Sequence, residues 1–263
     1  MGIAVLMTCH NRVETTHSCL ARLMPQLGND DRVFLVDDGS MDGTGAKVSA
    51  VYPTVSVIEG NGKLFWAKGM RKAWEAAVAE VCWDYYLWLN DDVMLKSDAL
   101  SGLRSDYTKL NSTSVLVGAC EYEGQCTYSG TDSKDRKLAP NGQPQSADGW
   151  LNGNVVLVPK DVFGKVGMIS PDYTHARADY DYAERLKLAG IPFYVSSGYV
   201  GSCPFDFNAK MRGKGFAERV SMLWKPGYFN LHDLYLIRRR YHGHIAAIAS
   251  CARLIQIVLK GWK

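Results

Sequence analysis

The chain has 263 residues, 47% of them hydrophobic and 22% charged, with a formal net charge of only +3. This is the composition of a folded globular protein whose core needs no disulfide staples, and its near balance of charge points to no nucleic-acid partner. The seven cysteines (Cys9, Cys19, Cys82, Cys120, Cys126, Cys203 and Cys251) are odd in number and form no CxxC pair, so neither a disulfide framework nor a zinc site is indicated. The N-terminal run has no basic leader and is strand-length, and no stretch of about 18 apolar residues is free of charge. A cytoplasmic, reduced setting without an ordinary membrane span is expected.

Residues 3–8 predict a short buried strand, with His10-Asn11-Arg12 as the turn that leaves it. Residues 15–27 carry Leu20, Leu23 and Leu27 at helical spacing. Residues 32–37 predict a second strand, ending abruptly in the turn Asp38-Gly39-Ser40. A helix is expected after Gly43, a third strand over 55–58, an alanine-rich helix over 68–81 and a fourth strand over 85–89 that stops at Asn90-Asp91-Asp92. Strands alternating with helices imply a parallel sheet covered on both faces. Ligands of such sheets bind outside the carboxyl ends of the strands. The three polar clusters fall at those ends, so they are expected to converge on one crevice.

Residues 121–148, rich in Gly, Ser, Asp, Pro and Gln, predict a long loop or lid. A strand over 154–158, a helix over 179–189 closed by Gly190, and a strand over 191–195 follow. The end of the chain combines Arg238-Arg239-Arg240 with an apolar run carrying the polar stripe Ser250, Arg253, Gln256 and Lys260. Such a segment either lies on an anionic membrane or docks on the domain as a helix, and the pattern fits both.

Asn90-Asp91-Asp92 carries the strongest chemical signal. Adjacent carboxylates at a strand terminus repel each other unless a cation or solvent relieves them. Hard divalent cations do so while bridging carboxylate to phosphate. The same residues also read as a solvated turn with Asp92 capping a helix. Taken together, Leu6-Met7-Thr8-Cys9-His10-Asn11-Arg12, then Val36-Asp37-Asp38-Gly39-Ser40-Met41-Asp42-Gly43-Thr44, then Leu89-Asn90-Asp91-Asp92-Val93 resemble the family-2 glycosyltransferases of the GT-A fold. The likeness extends through residues 150–195. It implies an α/β fold, a Rossmann-like three-layer sandwich with a mostly parallel central sheet. It also implies one catalytic domain over 1–235, with a nucleotide-sugar half at 1–118 and an acceptor half at 119–235, followed by a basic amphipathic segment at 236–263.

By that resemblance, Thr8, His10, Asn11, Arg12, Asp38, Gly62, Lys68 and Asp91 bind the nucleotide. Asp38 accepts the N3–H of uracil or thymine, a role suited to an ionised carboxylate, which only accepts. The competing reading of Asp38 is a plain Asx-turn before Gly39, which the surrounding match disfavours. Asp92 is the expected ligand of a divalent cation, Mn²⁺ or Mg²⁺. Trp150, Asn152, Gly153, Asn154 and Asp181 are expected at the sugar and acceptor, with Asp179 as catalytic base. Trp66 reads as packing. Ala178 stands where the family usually has Glu, and residues 198–204 lack the histidine that many relatives carry, leaving His232, His242 and His244 as candidates for a third metal ligand.

The implied activity is inverting transfer from a UDP- or dTDP-sugar to a hydroxyl of a glycan or lipid-linked acceptor. The implied setting is cell-surface polysaccharide synthesis at the inner face of the membrane. A non-catalytic nucleotide- or glycan-binding subunit is the competing reading. A dehydrogenase is disfavoured because no G-x-G-x-x-G follows the first strand, and a sugar-phosphate nucleotidyltransferase because no glycine-rich arginine loop does.

Overall fold

The computed structural model describes residues 2–110, 113–204, 214–226 and 230–260. Its first part alternates β1 (Ile3–Cys9), α1 (Val13–Leu23), β2 (Arg32–Asp37), α2 (Thr44–Val51), β3 (Val55–Glu59), α3 (Phe65–Glu80) and β4 (Tyr85–Leu89). The four strands pair in parallel in the order β3-β2-β1-β4. Burial on both faces explains their near-continuous apolar sequences. In β1, Ala4 and Leu6 pack on the α3 side with Met70 and Trp74. Ile3, Val5 and Met7 pack on the other side with Leu20 and Leu23 of α1 and Val48 of α2.

The second part supplies β5 (Met94–Leu95), α4 (Ala99–Thr108), β6 (Val115–Tyr122), β7 (Gln125–Tyr128), β8 (Gln145–Ala147), β9 (Val155–Pro159), α5 (Lys160–Val166), α6 (Ala178–Leu188) and β10 (Phe193–Ser202). The sheet continues β4-β9-β6-β10-β5, with β9 and β5 antiparallel to their neighbours. The sheet is therefore mostly parallel. Helices α3, α5 and α6 bury residues on one face, and α1, α2 and α4 on the other, which makes three layers. Trp74, Trp88, Tyr86 and Tyr182 form an aromatic cluster between sheet and helices on the α3 side.

Three features differ from the sequence expectation. The stretch 121–148 is not one long lid. It begins with the end of β6, turns at Glu123 and Gly124 (φ 51° and 76°) into the antiparallel β7, and includes β8 paired with β10. These short strands lie off the main sheet path, so their polar residues mimic a loop. Neither β6 nor α4 was expected, although Asp98 precedes α4 as a favoured N-cap type and a cluster of Asn, Ser and Thr over 111–114 precedes the apolar start of β6. Finally, β10 runs past the predicted residue 195, with register shifts between Val195 and Tyr199 and between Tyr199 and Gly201.

After α7 (Phe216–Ser221), α8 (Leu231–Lys260) is broken at Gly243, where φ is 83° and ψ is 172°. No residue with a side chain adopts that backbone readily. Its two arms fold back on each other: Tyr235 Oη meets His244 Nδ1 at 3.0 Å, and the Cys251 thiol donates to the Leu231 carbonyl. The first arm docks on the domain through Leu234 and Ile237. The start expected for the C-terminal segment, residue 236, thus falls inside a docked helix. Residues 261–263 lie outside the described residues.

Candidate active site

The carboxyl ends of β1, β2 and β4 open into a cleft of about 590 Å³. Each apolar strand ends in polar residues that the cleft exposes. Thr8, His10 and Arg12 come from the end of β1, Asp38 from β2, and Asn90, Asp91 and Asp92 from β4. Asn152, Gly153 and Asn154 precede the antiparallel β9, and Asp179 enters on the first turn of α6.

Asp38 is a joint between two loops. Its Oδ1 accepts the N–H of Gly62 at 2.8 Å, and its Oδ2 accepts those of Leu64 and Phe65 at 2.9 Å each. Its own carbonyl is bonded to His10 Nδ1 at 2.7 Å. Gly62 has φ 77°, which suits glycine and lets its N–H turn toward the carboxylate. The side chain that closes the turn is that of Asp37 instead, whose Oδ1 accepts the N–H of Ser40, three residues on, at 3.0 Å. A carboxylate offers about four lone-pair positions, so three backbone donors leave Asp38 one acceptor position.

Arg12 bridges the acidic pair, with Nη1 3.0 Å from Asp91 Oδ1 and 3.1 Å from Asp92 Oδ2. Asp91 is 4% exposed and also accepts the Thr16 hydroxyl at 3.1 Å. Burial pushes its carboxyl up to about 6 against the pull of Arg12, and Asp92 adds to the rise. The Asp92 side chain is 37% exposed and accepts the Cys203 thiol. Among the described residues, no three His, Cys, Asp or Glu side chains gather as a ready-made metal site. The donor set still fits a hard cation, which takes oxygen ligands and completes its shell with substrate phosphate and water.

Asp179 stands opposite. Its Oδ2 accepts the Gly153 N–H at 3.2 Å and its Oδ1 the Tyr180 N–H at 2.9 Å. The side chain touches the cleft, but the cleft is set deep in the protein, and burial pushes the carboxyl up to about 6. The helix N-cap is Arg177, in the left-handed region at φ 68°. Gly153 is required by packing, since a Cβ there would lie 2.5 Å from Trp66 Cζ2. Trp66 Nε1 donates to Asn90 Oδ1 at 2.6 Å, and Asn90 donates on to Asn154 at 2.7 Å. These bonds lock the β4 end against β9.

Several expected site residues lie elsewhere. Asn11 faces away from the cleft and joins the turns, accepting the Met41 N–H at 2.7 Å while its own N–H bonds Ser40 at 2.8 Å. Gly62 acts from behind Asp38, and Lys68 is exposed on α3 outside the cleft lining. Trp150 lines an adjoining cavity. Asp181 is fully buried between α6 and α8, where Arg185, Arg240, Tyr241 and Tyr173 all donate to it. His232 and His244 are not in the cleft, and His242 lines the second cavity.

Sequence reasoning did not single out Phe65, Tyr128, His175, Arg177 and Tyr180, which also line the cleft. Phe65, His175 and Arg177 sit at turns or helix starts that only tertiary packing places. For Arg177 and Tyr180, adjacency to Asp179 was the available signal.

The glycosyl transferase family 2 profile matches residues 4–158. An N-acetylglucosaminyl-diphospho-decaprenol L-rhamnosyltransferase of Mycobacterium tuberculosis is 24% identical over 238 residues, covering 76% of this chain and 74% of the relative. The solved structure of S. aureus TarS 1–349 superposes with a TM-score of 0.58 at 14% identity, covering 92% of this chain and 73% of that one. The mannosyltransferase PcManGT from Pyrobaculum calidifontis, solved in complex with GDP-Man and Mn²⁺, superposes with a TM-score of 0.60 at 12% identity, covering 99% and 76%. The two solved neighbours share the expected GT-A fold, and with the family match spanning more than half of its residues, the chain belongs to glycosyl transferase family 2.

Proposed function

We propose that the protein transfers a sugar, with inversion, from a UDP- or dTDP-sugar to a hydroxyl of a glycan or lipid-linked acceptor. The observation that carries this reading is the convergence of Asp38, the Asp91–Asp92 pair and Asp179 on one cleft. The one acceptor position left on Asp38 suits the N3–H of a uracil or thymine ring. Asp92, half-exposed in the cleft, would hold Mn²⁺ or Mg²⁺, and Asp91 and Arg12 stand behind it. When bound, the cation neutralises charge on the departing nucleoside diphosphate. Asp179, its carboxyl raised toward neutrality, takes the proton of the acceptor hydroxyl. On this reading the donor half ends near residue 118, and the acceptor half runs from there through the first arm of α8.

The lipid-linked acceptor finds support in the name of the mycobacterial relative and in the second arm of α8. Ile245, Ile248 and Leu259 are exposed there, and α8 is long and apolar enough by composition to cross a membrane. The break at Gly243 and the docked first arm favour a helix lying on an anionic membrane surface instead.

A screen of UDP- and dTDP-sugars for hydrolysis and transfer, with Mn²⁺ or Mg²⁺ and with EDTA, tests the reading. Activity is expected with the metals, and its loss in EDTA and in Asp92→Ala. Full activity in EDTA would remove the metal, and equal affinity for UDP, dTDP, ADP and GDP would remove the role of Asp38. Co-sedimentation with anionic vesicles at low salt is expected in the same preparations, and its absence would leave α8 as a docked hairpin only.

A further inference from the structure

The acidic pair at the end of β4 is backed by the end of β10. Gly201 pairs with Leu95 and Ser202 with Met94, both in β5, the strand that follows the acidic pair. A Cβ at Gly201 would lie 2.9 Å from the Met94 carbonyl and 3.0 Å from Val93 Cγ1, so the two segments are in close contact. The next residue after Ser202 is Cys203, which is 2% exposed and donates its backbone N–H to the Glu121 carbonyl at 3.0 Å. Its place is thus fixed by β5 on one side and β6 on the other.

The Cys203 thiol joins two side chains of the site. Its Sγ accepts Asn154 Nδ2–H at 3.5 Å and donates to Asp92 Oδ1 at 3.7 Å. The direction of these contacts is set further back. Trp66 donates to Asn90 Oδ1, and Asn90 Nδ2 donates to Asn154 Oδ1 at 2.7 Å. With its oxygen taken, Asn154 presents its amide N–H to the sulfur, which leaves the S–H to point at Asp92. Asn90 and Asp92 are two residues apart, so Asn90, Asn154, Cys203 and Asp92 close a ring.

The other oxygen of Asp92, Oδ2, accepts Arg12 Nη1 at 3.1 Å. The two donors differ in kind. Arg12 is charged and lines the cleft, so it competes with a divalent cation for the same carboxylate. Cys203 is a neutral donor and is not part of the cleft lining. An arriving cation does not repel it, so Oδ1 stays held while Oδ2 is free to turn to the metal.

We infer that Cys203 is a positioning residue for the cation site: its thiol fixes Asp92 Oδ1 and so aims Oδ2 at the metal. Cys203 acts through Asp92 and does not itself touch the cation. This rests on the metal reading above.

The test is calorimetric titration of the full chain with Mn²⁺ at saturating UDP, for wild type, Cys203→Ala and Cys203→Ser, with folding checked by thermal melting. Cys203→Ala is expected to weaken Mn²⁺ by roughly tenfold, the low end for groups that hold metal ligands, because a thiol is a weak donor. Its affinity for UDP in EDTA is expected to match that of the wild type. Cys203→Ser keeps a donor and is expected to recover most of the Mn²⁺ affinity. Unchanged Mn²⁺ affinity in Cys203→Ala overturns the inference. Equal losses in the two variants assign the effect to the packing of the sulfur and overturn it too. So does a parallel loss of UDP affinity in EDTA, which marks a general distortion of the cleft. Failure of the metal reading shows separately, as no Mn²⁺ binding by the wild type with UDP present, and leaves Cys203 no cation to position Asp92 for.

Discussion

Asp179 and Asp181 stand two residues apart on α6, yet they belong to different regions of the molecule. A helix turns about 100° per residue, so the two side chains leave it on nearly opposite faces. Asp179 meets the cleft with only two backbone N–H donors. Asp181 is fully buried and receives Arg185 at 2.9 Å, Arg240 at 2.7 Å, Tyr241 at 2.8 Å and Tyr173 at 3.3 Å. Arg240 also reaches Asp172, and Arg185 also holds the carbonyls of Val166 and Met168. One carboxylate is left under-solvated and able to take a proton. Its neighbour is saturated with donors and fastens α6 to α8 and to the turn before it. A single acidic motif therefore supplies both a reactive group and the brace that positions it.

The largest effect is expected at the reactive member. Asp179→Asn keeps the shape and one of the two backbone contacts but cannot accept a proton. Turnover is expected to fall by roughly two to four orders of magnitude, the usual contribution of a general base, with nucleotide affinity retained. Wild-type kcat is expected to rise with pH through about 6, as the Asp179 carboxyl ionises. Near-normal transfer by the variant would move the base to another residue.

Asp181→Ala is expected to act on stability instead. Removing one partner of a buried ion pair costs about 3–5 kcal/mol. The lower end is expected here, because Arg240 is 37% exposed and can return to water. Urea unfolding measures the loss, and turnover per folded molecule is expected to fall less than in Asp179→Asn. A variant of normal stability that has lost turnover would reverse the two assignments.

How far this division was legible depends on how local the signal was. β1, β2 and β4 are unbroken apolar runs that stop at polar residues, so the meeting of Asp38, Asp91 and Asp92 at one sheet edge followed from sequence. The convergence of Asp179 with them rested on the family pattern. The burial of Asp181 had a local signal that went unused: Ala178, Asp181, Tyr182, Arg185 and Leu186 recur at the spacing of a core-facing stripe, which sets Asp181 among buried neighbours. No comparable signal marked Tyr128, whose strand pairs only at the sheet margin. Nor did any mark Arg240 and Tyr241, whose partners lie about sixty residues earlier in the chain. Read by composition, these two belonged to a basic segment that fitted a membrane surface and a docked helix alike.

The smallest effect separates the two carboxylates by sign. The Asp179 carboxyl is raised to about 6 in the folded protein, against about 3.9 in an unfolded chain. Between those values the folded state holds more protons than the unfolded state, so the contribution of Asp179 to stability falls as pH rises through that window and stays at its lowest above it. Ionised Asp179 is therefore a net cost near neutrality. Two pKa units correspond to nearly 3 kcal/mol at most. Contact with cleft water and the loss of one N–H acceptor in the amide reduce the gain, so Asp179→Asn is expected to be more stable than wild type by on the order of 1 kcal/mol at pH 8. At pH 4 both side chains are uncharged in the folded state, and the gain is expected to vanish. Asp181→Asn, which takes an anion away from two guanidiniums, is expected to be less stable than wild type at pH 8. Urea unfolding of the three proteins at the two pH values makes the comparison, and a loss of stability in Asp179→Asn at pH 8 would place Asp179 with Asp181 among the structural carboxylates.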